Sequence, residues 1–387
     1  MDAMREALRY KEYTSGLYRE FHKIPERSRF EVKTHAKIRE ELDKAGVCYL
    51  APENNITIAV IKGAFPGPVV GIRCDTDALQ LTEETNLPYK SQHEGLMHAC
   101  GHDGHTAIGV ACAKILQENA HELRGIVKII FQPAEEGEMG AEAVIETGLT
   151  DDVNAFFGVH LWSPYKTGEM RVMPFGVAAS TDMFKITIEG RAGHGAMPEL
   201  CVDTVVCASA MVMNLQMIVS RFSSPFQPVV VTVGSVHAGT RCNIIAGEAV
   251  LEGTIRTFDP EVYKAVHEQF ERIVRDTCHQ YGCEYRIENV KACDVTWNDE
   301  KLCAIALENA KRIAPEDEVG SDKPFMLGDD FGEYRRIAPV CYMKVGIRNE
   351  KIDAVYAHHH PKFKVDEEAL PRAVAWLLMN AQSVLNG

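Results

Sequence analysis

The 387-residue chain exceeds the roughly 250 to 300 residues at which one hydrophobic core stops growing, so two domains are expected. Its 46% apolar and 25% charged residues are those of a folded globular protein and exclude a disordered chain. A formal net charge of -14, with no long run of Lys and Arg, argues against nucleic acid as a partner.

The N-terminal stretch "MDAMREALRYKEYTSGLYREF" reads as a charged amphipathic helix and lacks the apolar segment of a signal peptide. No apolar run of about 18 residues reads as a membrane span, and a cytoplasmic setting without a membrane partner is expected. The 12 cysteines are scattered, form no Cys-x-x-Cys pair and are expected to be reduced. Cys112, Cys201 and Cys207, in apolar stretches of helical type, read as small core residues.

Helical periodicity covers residues 4 to 23 and 30 to 46, interrupted at "KIPERSRF". Then "NITIAVIKG" and "PVVGIRCDTDAL" read as strands, "GHTAIGVACAKILQEN" as a helix, "GIVKIIFQP" as a strand, "EEGEMGAEAVIETG" as a helix and "VNAFFGVHLW" as a strand. This alternation predicts an α/β layer structure with a mostly parallel sheet. From about residue 180 the order becomes strand, helix, two strands, helix, strand, with a long apolar helix over 203 to 222. That order predicts an α+β, split-βαβ (ferredoxin-like) domain at 179–291, inserted into a catalytic domain formed by 1–178 and 292–387. The edges of so small an insert invite pairing with a second copy, so a homodimer through it is expected.

Near the middle of the first half, "MHACGHDGHT" packs three histidines, a cysteine and an aspartate into ten positions. Cys100 and His102 are two apart and share one side of an extended segment, while Gly101 lets the backbone turn around a shared ion. A helix beginning near Gly104 would lower the thiol pKa. Other ligand types recur at strand ends: paired carboxylates in "FQPAEEG", His160 in "GVHLW" and three histidines in "AHHHPKF". Carboxyl ends of strands line the functional crevice of open α/β sheets, and Cys, Glu and His with open positions suit zinc or a similar divalent ion in a hydrolytic site.

With "HKIPE", "RCDTDAL", "GRAGHGAMPE", "GTIRTFD", "GDDFG" and "PKFKVDEEAL" added, the chain resembles the M20 family of metallopeptidases and amidohydrolases over nearly its whole length. The branch it resembles contains hippurate hydrolase, bacterial aminoacylases and plant auxin-conjugate amidohydrolases. The resemblance implies two divalent metal ions per subunit (Zn, Mn, Co or Ni) held by Cys100, His102, Glu136, His160 and His359, with Cys100 bridging; His358 and His360 flank His359. It implies Asp75 and Asp103 as residues orienting the metal site, Glu135 as general base, and His194 as the group polarising the scissile carbonyl. Asn243 and Arg256 would hold the substrate. Three positions depart from the family pattern: "NIIAG" lacks a proline, Asp329 stands where glutamate is common, and "HHHP" is rich in histidine. His22, His93 and His237 read as structural or surface residues.

The implied activity is metal-dependent hydrolysis of an N-acyl amino acid, of N-acetyl or N-benzoyl type, to a carboxylic acid and a free amino acid, with Glu135 passing the proton from the attacking water to the leaving amine. A dipeptidase or carboxypeptidase of the same family is the nearest rival. A non-catalytic metal-binding protein is a rival of another class, and it has no use for a carboxylate beside the ligands. No G-x-G-x-x-G follows a predicted strand, which disfavours an oxidoreductase.

Overall fold

The computed structural model describes residues 1 to 53, 55 to 137 and 139 to 387, without the side chains of 290 to 292. The chain divides into two compact units, one of Met1–Val177, Trp297–Lys323 and Asp330–Gly387, the other of Ala178–Thr296 and Pro324–Asp329.

The first unit runs α1 (Ala3–Arg9), α2 (Lys11–His22), α3 (Val32–Lys44), β1 (Cys48–Leu50), β2 (Thr57–Lys62), β3 (Phe65–Asp75), α4 (His102–Glu118), β4 (Arg124–Gln132), α5 (Gly140–Glu146), β5 (Ala155–Lys166) and β6 (Met170–Arg171). It resumes with α6 (Glu300–Ile313), β7 (Val319–Gly320), β8 (Val340–Arg348) and α7 (Leu370–Asn386). The eight strands lie in the order β1-β2-β4-β3-β5-β8-β6-β7. Pairings among β4, β3, β5 and β8 are parallel, whereas β1 and β2 join antiparallel at one edge and β6 runs antiparallel to β8. The near-continuous burial of β4, β5 and β8 is what a parallel sheet covered on both faces requires. α4 and α7 pack on β3 and supply much of the core, including Ile108, Cys112, Ile115, Val374 and Leu377.

The helix expected over 4 to 23 is two helices meeting at Tyr10. The sequence has no glycine or proline there; the Tyr10 hydroxyl donates to Glu118 at 2.6 Å, a tertiary anchor at the end of α4. The expected helix after β4 is shortened to α5, because Glu135, Glu136 and Gly137 form a turn instead of its first residues.

The second unit is a four-stranded antiparallel sheet in the order Val229–Ala238, Glu248–Thr257, Thr181–Glu189, Glu284–Cys293. Helices Thr204–Leu215 and Pro260–Tyr281 pack on the face carrying Phe184, Ile186, Ile188, Ala249 and Leu251. Residues Pro324–Asp329 join this unit, with Ala179 donating to the Phe325 carbonyl at 3.3 Å. Cys207 is buried in its helix, but Cys201 lies before it, half-buried, with its thiol against the Met197 carbonyl at 3.5 Å. The stretch Thr204–Phe222 is, contrary to the reading of the sequence, long and apolar enough to cross a membrane by length and composition. Cys207, Ala208, Met211, Leu215 and Ile218 nevertheless face this unit's own core, so the stretch is a helix apolar on both its inner and outer sides.

Candidate metal centre

All five expected ligands lie in the first unit. Gly101 has φ of 95°, a left-handed value open to glycine, and it turns the chain between Cys100 and His102, the first residue of α4. Ligand atoms of Cys100, His102 and His160 lie within 4.8 Å of one another, as do those of Cys100, Glu136 and His359, and those of His102, Glu135 and Glu136. Cys100 therefore joins one imidazole pair to a carboxylate and a further imidazole, the arrangement a bridging ligand between two cations requires.

The ring nitrogens sort by their partners. His102 Nδ1–H donates to the carbonyl and the Oδ1 of Asp77 at 3.0 and 3.1 Å, which presents Nε2 to the cluster. His160 Nδ1–H donates to the Leu161 carbonyl at 2.8 Å, leaving Nε2 3.6 Å from Cys100 Sγ. His105 also lies beside His102, but both its nitrogens are engaged: Nδ1 with Asp75 Oδ1 at 2.6 Å and Nε2 accepting the Leu161 N–H at 2.9 Å. Among the C-terminal histidines, His358 donates to the Leu161 carbonyl at 2.9 Å and faces Ser163 Oγ at 3.2 Å, while His360 accepts the Lys362 N–H at 3.0 Å and stacks on Tyr356. His359 alone of the three reaches the cluster, with Nε2 3.2 Å from Glu136 Oε1.

Two orphaned atoms test the fit of a cation. His102 Nε2 and Glu136 Oε1 are buried with no hydrogen-bond partner among the described residues, a situation costing about 1–3 kcal/mol each. Coordination to a dication would satisfy both, and the mix of thiolate, imidazole and carboxylate suits a first-row transition ion. The charges agree. Burial opposes a proton on His102, but Asp75 and Asp77 outweigh it and raise its pKa to about 10, so this pocket attracts positive charge. Burial holds the Cys100 thiol well above its usual value, and Glu136, Glu135 and Asp75 add to the effect. The expected help from the helix end is outweighed by burial among carboxylates, and a cation is what would favour the thiolate here. Burial, then His105 and His358, keeps His160 neutral.

Asp75 Oδ2 stands 3.8 Å from His102 Nε2, and Asp75 also pairs with Arg73. Asp103 turns away from the ligands: it takes a hydrogen bond from His22 Nδ1 at 2.6 Å and caps the Gly104 N–H at 2.9 Å. The carboxylate bonded to the His102 ring is Asp77, a residue that the family resemblance does not single out. Asp75 and Asp77 occur together in "RCDTD" at the end of one strand, and that pair was the available signal. His105, in the same ten-residue motif as His102, is likewise not singled out by the resemblance, although it bridges Asp75 and the Leu161 N–H.

In the second unit, His194 and Asn243 come together: the short strands Gly193–His194 and Ile244–Ile245 pair, and the Gly195 N–H donates to the Asn243 carbonyl at 3.0 Å. The exposed His194 accepts the Ala196 N–H at 3.1 Å through Nδ1. Arg256 Nη1 donates to Thr181 Oγ1 at 2.8 Å and to the Met326 carbonyl at 2.9 Å.

Comparison with known proteins places the class of this site. The chain belongs to the M20 family, the match to Peptidase family M20/M25/M40 covering residues 71–382. It is 37% identical over 372 residues to the N-acetylcysteine deacetylase of Bacillus subtilis (strain 168), across 96% of each chain. It is 40% identical over 269 residues to the N-acyl-L-amino acid amidohydrolase of Geobacillus stearothermophilus, covering 69% of this chain and 73% of that protein. A crystal structure of a Bacillus subtilis protein described as a dinuclear metal binding peptidase of the M20 family superposes with a TM-score of 0.86 at 34% identity, over 97% of this chain and 99% of that one. The protein is a hydrolase of amide bonds.

Proposed function

We propose that the protein hydrolyses N-acyl amino acids of N-acetyl or N-benzoyl type, releasing a carboxylic acid and a free amino acid. The observation that carries this reading is Glu135: its Oε2 lies 3.8 Å from the metal-facing Nε2 of His102, in one group with Glu136. The activities named for the two amidohydrolase relatives point the same way. Cys100, His102, Glu136, His160 and His359 would hold two ions, drawn from Zn, Mn, Co and Ni. When bound, the ions supply Lewis acidity toward a water and the acyl oxygen. Glu135 takes the proton of the attacking water and returns it to the leaving amine, and His194 stabilises the charge on the acyl oxygen. Asn243 and Arg256 bind the amino-acid portion, Arg256 through guanidinium N–H groups beyond those given to Thr181 and Met326. Asp75 steadies the metal site beside His102, and Asp103 supports it indirectly through the start of α4. The 179–291 domain serves as lid and dimer interface, and the enzyme works in the cytoplasm.

The test is a panel of N-acetyl and N-benzoyl amino acids and dipeptides, assayed after chelation and after return of Zn, Mn, Co or Ni. Metal-dependent release from the N-acyl amino acids is expected. Cleavage of dipeptides alone would establish the peptidase reading instead, and metal binding without any hydrolysis the non-catalytic one.

A further inference from the structure

Glu31 immediately precedes α3, but its side chain does not cap that helix. Its fully buried carboxylate crosses instead to the turn after β4, where Oε1 accepts the N–H of Ala134 at 2.9 Å, 103 residues away in sequence. The other oxygen, Oε2, is buried with no hydrogen-bond partner among the described residues. Burial, with Asp77 nearby, raises the Glu31 pKa to about 7, and the backbone N–H groups that hold the carboxyl, that of Ala134 among them, lie outside α3.

Ala134 has φ of 59°, a left-handed conformation that costs a residue with a Cβ roughly 1–2 kcal/mol. That value sets the direction in which the next residue, Glu135, leaves β4. On the far side of Glu135, the Glu136 N–H donates to Asp77 Oδ2 at 3.0 Å, and Asp77 Oδ1 is the acceptor that orients His102. The amides on both sides of Glu135 are thus tied to two different buried carboxylates. One jaw comes from just before α3 and the other from just beyond β3.

We propose that Glu31 is a positioning residue for Glu135: by holding the Ala134 amide it fixes the left-handed turn that aims the Glu135 carboxylate, while Asp77 keeps that turn in register with His102. This rests on Glu135 being the base of the proposed reaction. Glu31 belongs to none of the candidate metal groups, so its effect belongs in kcat and in the order of one short turn.

The experiment uses the metal-loaded full chain, N-acetyl-L-methionine as probe, metal content, kcat and KM, and amide hydrogen exchange in the peptide over 133–137. Glu31→Ala should keep both metals and a KM within about threefold, lose on the order of 10-fold to 100-fold in kcat, part of the worth of a positioned base, and exchange faster at 134–136. Glu31→Gln, whose amide oxygen can still accept the Ala134 N–H, should stay close to the parent. Ala134→Gly added to Glu31→Ala should recover part of the lost kcat, because glycine takes positive φ without the Cβ penalty; a residue that only braced the fold would not be relieved this way. Should Glu31→Ala fold poorly, Glu31→Asp keeps a carboxyl group but falls one methylene short of the amide, and it should show the same kcat loss with metals retained. Unchanged kcat and exchange in these variants, loss of metal in step with rate, or a kcat loss relieved by neither Glu31→Gln nor Ala134→Gly would overturn the proposal. If the parent cleaves no N-acyl amino acid while Glu31→Ala still loosens exchange at 134–136, the reaction assignment falls and the clamp stands.

Discussion

Glu135 and Glu136 are neighbours in sequence with different surroundings, and that difference predicts different failures. Glu136 Oε1 is buried without a hydrogen-bond partner, 3.2 Å from His359, so Glu136→Gln removes an anionic ligand and should lower metal affinity and activity together. Glu135→Gln keeps the side chain's size but not its basicity, so both ions should remain while turnover falls by about 10²-fold to 10⁴-fold. Metal analysis and one rate assay on each variant decide it; a fully active Glu135→Gln, or one that loses metal as readily as Glu136→Gln, would end the division of roles. At this scale Cys100, His102 and Glu136 were legible because each stands beside a glycine, whereas His160 lies inside β5 rather than at its end and His359 sits in a turn beyond β8. What spacing does not encode is which carboxylate meets which imidazole. Asp75, Asp77 and Asp103 look alike in sequence, yet they face His105, His102 and His22 respectively, because the crossing of α2, α4 and β3 decides the pairing. His22 accordingly proves to be a buried partner, its pKa raised to about 9 against the cost of burial by Asp103 and Glu83.

At the scale of elements, existence was legible from periodicity and boundaries were not, because tertiary contacts set them. α5 begins only at Gly140, whose backbone packs so closely on Pro133 that a Cβ there would come within 1.7 Å of the Pro133 carbonyl oxygen, a tertiary approach that periodicity does not encode. α3 carries a second such contact. His35 is fully buried between the hydroxyls of Thr57 on β2 and Thr76 just beyond β3, at 3.0 and 3.1 Å, and it pins the helix to the sheet as a neutral ring. Burial, with Arg39 nearby, lowers its pKa from 6.5 to about 3. The folded state therefore refuses a proton that the unfolded chain accepts, so stability is lost as pH falls from about 6.5 toward 3. The slope from this one group approaches about 1.4 kcal/mol per pH unit. His35→Gln cannot titrate and should be less stable at neutral pH but flatter in its dependence on acid. Urea midpoints of the chelated proteins at pH 7 and pH 5 measure this; parallel losses in parent and variant would show that His35 contributes nothing to acid sensitivity.

For the whole molecule, the outer side of the Thr204–Phe222 stretch poses the remaining problem. Only 28% of its most apolar window is buried, and Val205, Val206, Met217, Val219 and Phe222 are exposed, with Met213 at 70% and Phe226 nearby at 93% exposure. Val205, Met213 and Met217 fall at helical spacings of eight and four, one stripe along the side facing away from the core. Single exposed apolar residues need no explanation, but a contiguous stripe of them marks an interaction surface. A lipid bilayer is a poor occupant, since the opposite side of the same helix is committed to the core of its own unit. A second copy of the chain is the occupant we propose, because a two-fold axis lets one stripe cover the other, each residue meeting its symmetry mate or a near neighbour. Charge placed on the stripe would then meet itself across the axis. The parent should sediment as a dimer at micromolar concentration, and Met213→Glu combined with Met217→Glu should sediment as a monomer that still binds two metal ions, because the ligands lie in the other unit. A monomeric parent would remove the dimer, and a variant that stayed dimeric would move the interface to another face. If the monomer keeps its metals but loses turnover, the second copy contributes to the working site as well as to the cover of an apolar face.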